Sequence, residues 1–526
     1  MKQKHTKLLL VFSLFSTTIS ANVTPKQKRH ILKEKTHVKQ QLMIQDQTIH
    51  KPKYRASSQP AQLKTLCGAA SAGDLETLTT LIVNGENVNM QDCLGKTPLH
   101  HAIRQGNAQT IEHLLLLGAN PNIPDNQHKT PREHALKLND KEIQALLVND
   151  VETRLHHLPI DISFVISDLK FDQDGNVKIL ELGEGPRSYF KGHETLYGKG
   201  KIWEAMWHYF SQLGLPVWYV GRKPDSLWTQ ATIGGKKFIE IGGQFADSLT
   251  ELKRDPLFQE LAALPTNPQP QSLTECKGII VLRHHYTSKG LLQDFKKNYP
   301  DFIILDSVTS AYVNNKYTTS LLFNDDRLKA YKPRWKAYPK VYTKDLAQTI
   351  INDLKTNTVV LKPLSAANGW GVLIVDKNDL DATLRMILKN TASIATNPDK
   401  SYNYWAQDRN RDFLVEEYVP SKTITVRGKE YDATMRVVFL LSYHDGKIYT
   451  TFLGHYWKLP LHALDADVDL TKKHKSKIGS NDQTPSSAKV APEDCEQVKK
   501  ALQEFLPKIY LKMLLSKQQR LTEPEE

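Results

Sequence analysis

Residues Val359 to Asp376 read VVLKPLSAANGWGVLIVD. Val359, Val360 and Leu361 form one short apolar run and Val372 to Val375 another, so the stretch predicts strand, loop, strand. Lys362 and Pro363 end the first run, and Gly369 and Gly371 punctuate the loop. A lysine at a strand end can hold an anionic group, and glycines let backbone N–H groups approach phosphate closely. An ordinary hairpin with a glycine turn has the same pattern, so the neighbouring segments must decide.

Downstream, Phe413 to Val419 (FLVEEYV) is a strand with adjacent carboxylates, Glu416 and Glu417. YDATMRVVFLL then carries Asp432 and Arg436 into an apolar strand. Upstream, Lys316 opens a predicted helix. The order N-K-x-x-T, V-x-K-P with a glycine flap, V-E-E-Y-V and D-x-x-x-R-V resembles the ATP-grasp superfamily over roughly Tyr312 to Leu515.

The chain has 526 residues, 40% hydrophobic and 24% charged, enough for several domains with apolar cores. Net charge is +13, from 70 basic and 57 acidic residues, concentrated in Lys26 to Arg55 and Lys472 to Lys477. No nucleic-acid recognition motif accompanies it, so a solvated basic surface is the expectation and nucleic acid is not the expected partner. Cys67, Cys93, Cys276 and Cys495 are widely spaced, with no CxxC and no zinc-type spacing, and are read as free thiols. The doublets His100-His101, His156-His157 and His284-His285 chelate poorly, because adjacent side chains diverge.

Met1 to Ala21 has the pattern of a cleavable secretory signal: Lys2, Lys4 and Lys7, an apolar stretch from Leu8 to Phe15, then small residues. The apolar stretch is too short for a stop-transfer helix, and no other segment has the length of a membrane span. Asn22 to Gln62, rich in Lys, Gln and His, reads as a linker or disordered arm.

From Leu63 the chain repeats with a period near 33. Thr97-Pro98-Leu99-His100 recurs as Thr130-Pro131-Arg132-Glu133; Ala69, Ala102 and Ala135 align, as do Gly73, Gly106 and Asn139. Proline in the first turn loses no hydrogen bond, alanine allows close helix packing, and the glycine permits a left-handed cap. The pattern resembles the ankyrin repeat, with two good units and a degraded third. The resemblance implies protein recognition, with a host protein as one candidate partner. The export pattern together with the repeats is similar to ankyrin proteins that intracellular bacteria deliver into host cells.

In the middle region, Pro159 to Asp168 and Val177 to Leu182 read as a hairpin, and Glu181, Glu184, Arg187 and Lys191 cluster among glycines as an ion site or a solvated loop. Gly278 to Leu282, Lys289 to Asn298 and Phe302 to Leu305 form a β-α-β unit, similar to the Rossmann-like domain that precedes many ATP-grasp domains. The absence of GxGxxG argues against a dinucleotide.

The expected fold is therefore multidomain: a short α-helical ankyrin stack, then α/β, with a Rossmann-like pre-domain and an ATP-grasp-like α+β domain. The expected borders are 1–21 signal, 22–62 linker, 63–150 repeats, 151–311 pre-domain, 312–515 ATP-grasp-like domain and 516–526 tail. The ATP-grasp resemblance implies a ligase using ATP and Mg²⁺ to join a carboxylate to an amine or thiol through an acyl phosphate. It assigns Lys362 to phosphate, Gly369 and Gly371 to the flap, and Glu416, Glu417, Tyr418 and Val419 to an adenine-reading hinge with one Glu on the ribose. Asp432 would sit near metal or substrate and Arg436 at the transferring phosphate. The family's Glu-x-Asn metal strand is missing; Asn481 is the nearest candidate asparagine, and Glu181 a candidate for the missing acid. A non-catalytic adaptor with a degenerate nucleotide-binding fold is the alternative.

Overall fold

The computed structural model describes residues 65–83, 86–138, 140–148, 158–184, 190–221, 232–233, 236–237, 242–282, 289–306, 308–313, 315–324, 327–366, 369–474 and 486–522. The expected signal and linker, and Asn139, Arg187 and Asn481, lie outside them.

Three helix pairs open the described chain: α1 (Leu66–Ala72) with α2 (Leu75–Val83), α3 (Pro98–Gln105) with α4 (Ala108–Leu116), and α5 (Pro131–Lys137) with α6 (Lys141–Val148). Thr97 and Thr130 are N-caps with capping boxes, and proline occupies the first turn of α3 and α5, as the sequence requires. Gly73 and Gly106 close α1 and α3 in the left-handed region (φ 73° and 68°), where a Cβ would be strained. Ala69, Ala102 and Ala135 are buried where α1, α3 and α5 stack as an inner row. Helices α2, α4 and α6 form the outer row.

The body is built on an antiparallel sheet. Strands β1 (Asp161–Phe171) and β2 (Val177–Glu184) form the expected hairpin. The chain continues through α7 (Lys191–Tyr197) and α8 (Lys201–Gln212) into a parallel sheet. That sheet, in the order β4-β3-β5-β6, comprises β3 (Val217–Val220), β4 (Gln244–Ala246), β5 (Gly278–Leu282) and β6 (Phe302–Ile304), with α9 (Lys289–Asn298) linking the last two. Helix α10 (Lys316–Leu321) precedes a second antiparallel sheet: β7 (Trp335–Pro339), β8 (Thr358–Pro363), β9 (Leu373–Asp376) and β10 (Asp412–Glu417), in the order β9-β8-β10-β7. Helices α11 (Leu346–Leu354) and α12 (Lys377–Leu388) bury its Val359 and Leu361 face. Strands β11 (Thr434–His444) and β12 (Lys447–Lys458) then join β1 and β2, giving the order β12-β11-β1-β2 with a short edge strand, Ser487–Ala488, beyond β12. A short helix α13 (Leu470–His474) and a long helix α14 (Pro492–Thr522) close the chain.

Two expectations change here. β1 pairs with β11 from Asp161 opposite Tyr443 to Leu169 opposite Met435, so residues 161–184 complete the C-terminal sheet across the border expected at 311/312. The hairpin lacks enough partners to bury both its faces alone, which explains why every residue of β1 is buried. On one face Phe164 and Ile166 share a core with Trp203 and Trp207 of α8, the Phe164 and Trp203 rings stacked 5.5 Å apart; on the other, Val165 and Leu169 belong to the core that also holds residues of α14 and the helical repeats. The second change concerns α14, whose composition from Glu493 to Leu515, apolar residues interspersed with charged ones, predicts an amphipathic helix with one exposed face. Ile509 to Leu515 are all buried, Lys512 included, because α14 runs between the sheet and outer helix α2. Among the described residues no helix is long and apolar enough to cross a membrane.

Candidate functional site

Alternation along β8 puts Val359 and Leu361 in the core and turns Lys362 to the opposite face. Lys362 pairs with Leu414 and Val360 with Glu416, so Lys362 and Glu416 are diagonal neighbours. They form a buried ion pair, and Lys332, just before β7, binds the other Glu416 oxygen at 2.6 Å while donating to the Leu180 carbonyl at 3.1 Å. Burial opposes the charge on Glu416, but the Lys332 and Lys362 ammoniums hold its carboxyl below the ordinary value. Burial also lowers Lys332.

A second group surrounds Asp432. Its Oδ1 accepts from Lys170 of β1 at 2.5 Å and from the Ser421 amide at 3.0 Å; its Oδ2 accepts from the Tyr418 hydroxyl. His474 of α13 touches Tyr418 Oη at 2.8 Å through Nε2. Burial, then the Lys170 charge, pushes His474 down to about 4. In a third group Arg436 of β11 grips Asp168 of β1 through two hydrogen bonds of 2.7 and 2.8 Å, and Lys458 of β12 adds a third at 2.8 Å. Asp168 and Arg436 are register partners. Burial opposes the Asp168 charge, but Arg436 and Lys458 hold its carboxyl far below the usual range.

Beside these groups lies a cavity of about 160 Å³ lined by Glu181, Gly183, Lys316, Thr319, Lys332 and Ala366, among others. Glu181, opposite Asp168 in the β1–β2 register, lies 3.5 Å from Lys316. The charged residues lining the cavity are two cations, Lys316 and Lys332, and one carboxylate, Glu181. The lining has a surplus of one positive charge, which suits an anion.

The structure joins Lys362 to Glu416 and Tyr418 to Asp432, and gives other expected site residues partners from elsewhere in the chain. Glu416 has two lysines, and Glu417 is bound by Arg334 through its Nε at 2.6 Å and its amide at 2.8 Å. The hinge backbone is engaged: Glu417 N–H bonds Arg334 O at 2.8 Å, Tyr418 N–H bonds Thr358 O at 3.0 Å, and Val419 C=O accepts from Lys170 at 3.2 Å. Both Asp432 oxygens accept hydrogen bonds from the protein's own groups. Gly371 donates its N–H to Lys400 O at 3.0 Å; its role is close packing, since a Cβ there would lie 2.3 Å from the Pro363 ring. Gly369, exposed and at φ 71°, stays on the loop surface. Lys170, Lys332, Asp168 and His474 were not singled out from the sequence. The one local signal was the pair of charges Asp168 and Lys170 near the end of the fully buried strand Asp161–Phe171.

The repeats offer the other surface. Their outer helix α2 is covered by α14, and Arg327 donates to the Leu117 carbonyl at 3.2 Å, fastening the second pair to the body. The tips between pairs expose Cys93 and Leu94, and α3 and α5 expose Arg104, Arg132 and Lys137. Residues 66–156 match the family described as ankyrin repeats, in three copies. This segment is an ankyrin stack. No curated protein matches the chain. The ankyrin stack accounts for the 33-residue period and for the third unit. Its tips and inner row are the faces the body leaves accessible.

Proposed function

We propose that this protein is an ankyrin-repeat interaction protein whose α/β body carries a charged cleft of nucleotide-binding type that is closed by its own ion pairs, so that the chain recognises a protein partner and does not join substrates. The supporting observation is the engagement of Glu416, Glu417, Tyr418, Val419 and Asp432 by Lys332, Lys362, Arg334, Thr358 and Lys170. A nucleotide would have to displace those partners and leave buried charges behind, a change worth several kcal/mol per ion pair. The proposal includes export through the Met1 to Ala21 segment, followed by action inside a host cell.

A second reading, an ATP- and Mg²⁺-dependent ligase of carboxylate with amine or thiol, draws on the positive surplus of the cavity lining and on Lys362, which shares Glu416 with the lining residue Lys332. Calorimetry with Mg-ATP at millimolar concentration separates the readings. No binding supports the adaptor. Binding that weakens at least about tenfold in Lys362→Ala, with ADP release in a screen of carboxylates and amines, overturns it in favour of the ligase. Sequencing of the mature N-terminus tests export: a start near Ala21 or Asn22 is expected, and an intact Met1 on extracytoplasmic protein removes the cleavable signal.

A further inference from the structure

The ankyrin repeat brings the same three positions together twice. Cys67, Asp92 and His101 recur 33 residues on as His100, Asp125 and His134, and in each set the candidate ligand atoms lie within 4.8 Å of one another. The second set is committed to the fold. His100 Nδ1 accepts from the Thr97 amide at 3.0 Å and its Nε2 bonds the Lys129 carbonyl at 3.1 Å, so neither ring nitrogen is left for a ligand. In the first set a cysteine holds the histidine's place. Its thiol makes a 3.9 Å contact with Lys96 O, the repeat counterpart of Lys129 O, a weak interaction for a sulfur donor.

The other two groups of the first set are already aimed. Asp92 Oδ1 accepts the Leu94 and Lys96 amides at 2.9 Å each, which fixes the carboxylate and turns Oδ2 toward His101. His101 Nε2 lies 2.8 Å from that oxygen, while its Nδ1 sits 3.3 Å from Ser71 Oγ. A ligating histidine is oriented in this way, by a hydrogen bond from the nitrogen that faces away from the metal. All three side chains are half-buried, so an ion can reach them from solvent.

We propose that Cys67, Asp92 and His101 bind a borderline-soft divalent cation, Zn²⁺, with a water in the fourth position. Thiolate and imidazole ligands favour Zn²⁺ over Mg²⁺ or Ca²⁺, and one thiolate, one imidazole and one carboxylate make a three-ligand open set. On binding, the thiol proton passes to solvent and the Cys67 sulfur bonds the metal, while the His101 ring keeps its single proton on Nδ1, facing Ser71 Oγ, so that the ion occupies the space between His101 Nε2 and Asp92 Oδ2. Because Cys67 lies on α1, His101 on α3 and Asp92 on the tip between, the ion would tie the first two repeats together.

The test is a titration of the full-length protein with Co²⁺ and then Zn²⁺. The expected result is a near-ultraviolet thiolate-to-cobalt band that Zn²⁺ bleaches, with a Zn²⁺-dependent rise in melting temperature. Cys67→Ser should remove the band and weaken Zn²⁺ by more than about 100-fold, and Ser71→Ala, which removes a supporting hydrogen bond, by about tenfold. Cys93→Ser, next to Asp92, should leave both unchanged. Asp92→Asn, which keeps the shape of the side chain, separates ligand loss from misfolding when its metal-free melting temperature is compared with wild type. No thiolate band, a band that follows Cys93, or Zn²⁺ affinity retained in Cys67→Ser would overturn the site.

Discussion

Glu416 lies between Lys362 and Lys332, one ammonium on each carboxylate oxygen, with all three side chains buried. The group spans the two sheets, because Lys332 also donates to Leu180 of β2. Removing the shared member and removing one lysine should therefore have unequal effects.

Glu416→Ala leaves two buried ammoniums facing each other and should destabilise the protein by about 3–5 kcal/mol, the usual result of orphaning a buried charge. Lys362→Ala leaves Glu416 neutralised by Lys332 and should lose only about 1.5–3 kcal/mol, one hydrogen bond to a charged group. Urea denaturation of the two variants measures the difference. Equal losses would mean that Lys332 does not neutralise Glu416.

Stability should fall on mild acidification. Burial pushes His113, His193 and His474 each down to about 4, from an ordinary value of 6.5. The unfolded chain takes up these protons near 6.5 and the folded chain only near 4. Their contribution is thus complete above pH 6.5 and is lost as pH falls toward 4, by at most about 1.4 kcal/mol per group per pH unit. Melting temperatures between pH 7 and 4.5 should show the decline. His113→Gln, which removes the group bonded to Thr79 Oγ1 at 2.6 Å, should make it shallower.

Gly118 combines φ of 100° with a close approach to Arg327, whose guanidinium nitrogen would lie 1.7 Å from an added Cβ. Arg327 can swing away, giving up its bond to Leu117 O, but the backbone conformation cannot change without moving the repeat. Gly118→Ala should lose about 1–3 kcal/mol, combining strain with one hydrogen bond. In Arg327→Ala the second loss has already occurred, so the double variant should be less damaged than the sum of the two single changes. Strict additivity in thermal melts would show that the two residues do not meet.

Deleting residues 63–148 should not leave a well-folded body. Leu78 and Ile82 of α2 share a core with Leu502 and Ile509 of α14 and Val437 of β11. Their removal would expose part of that core, and the remainder should aggregate or lose its cooperative melt. A truncated chain that melts cooperatively at the wild-type temperature would make the ankyrin stack a separable module.

The sequence by itself determined the elements whose causes are local. Thr97-Pro98 and Thr130-Pro131 start helices through their own capping chemistry, Gly73 and Gly106 end them, and the 33-residue register follows from those marks. The paired runs around Lys362 likewise specify the β8–β9 hairpin. Only the tertiary structure decided the groups whose members are remote in the chain. Asp168 meets Arg436 across 268 positions and Lys170 meets Asp432 across 262, because β1 is buried on both faces only when it lies against β11. A carboxylate read as a metal or ribose ligand from its motif is thereby neutralised by a lysine from another segment. Cys67, Asp92 and His101 follow the same rule at shorter range: the period placed them one repeat apart, and the stacking of α1 on α3 brought them together. Side-chain type and spacing fix what a residue can do, while the pairing of strands and the stacking of helices decide which partner reaches it first.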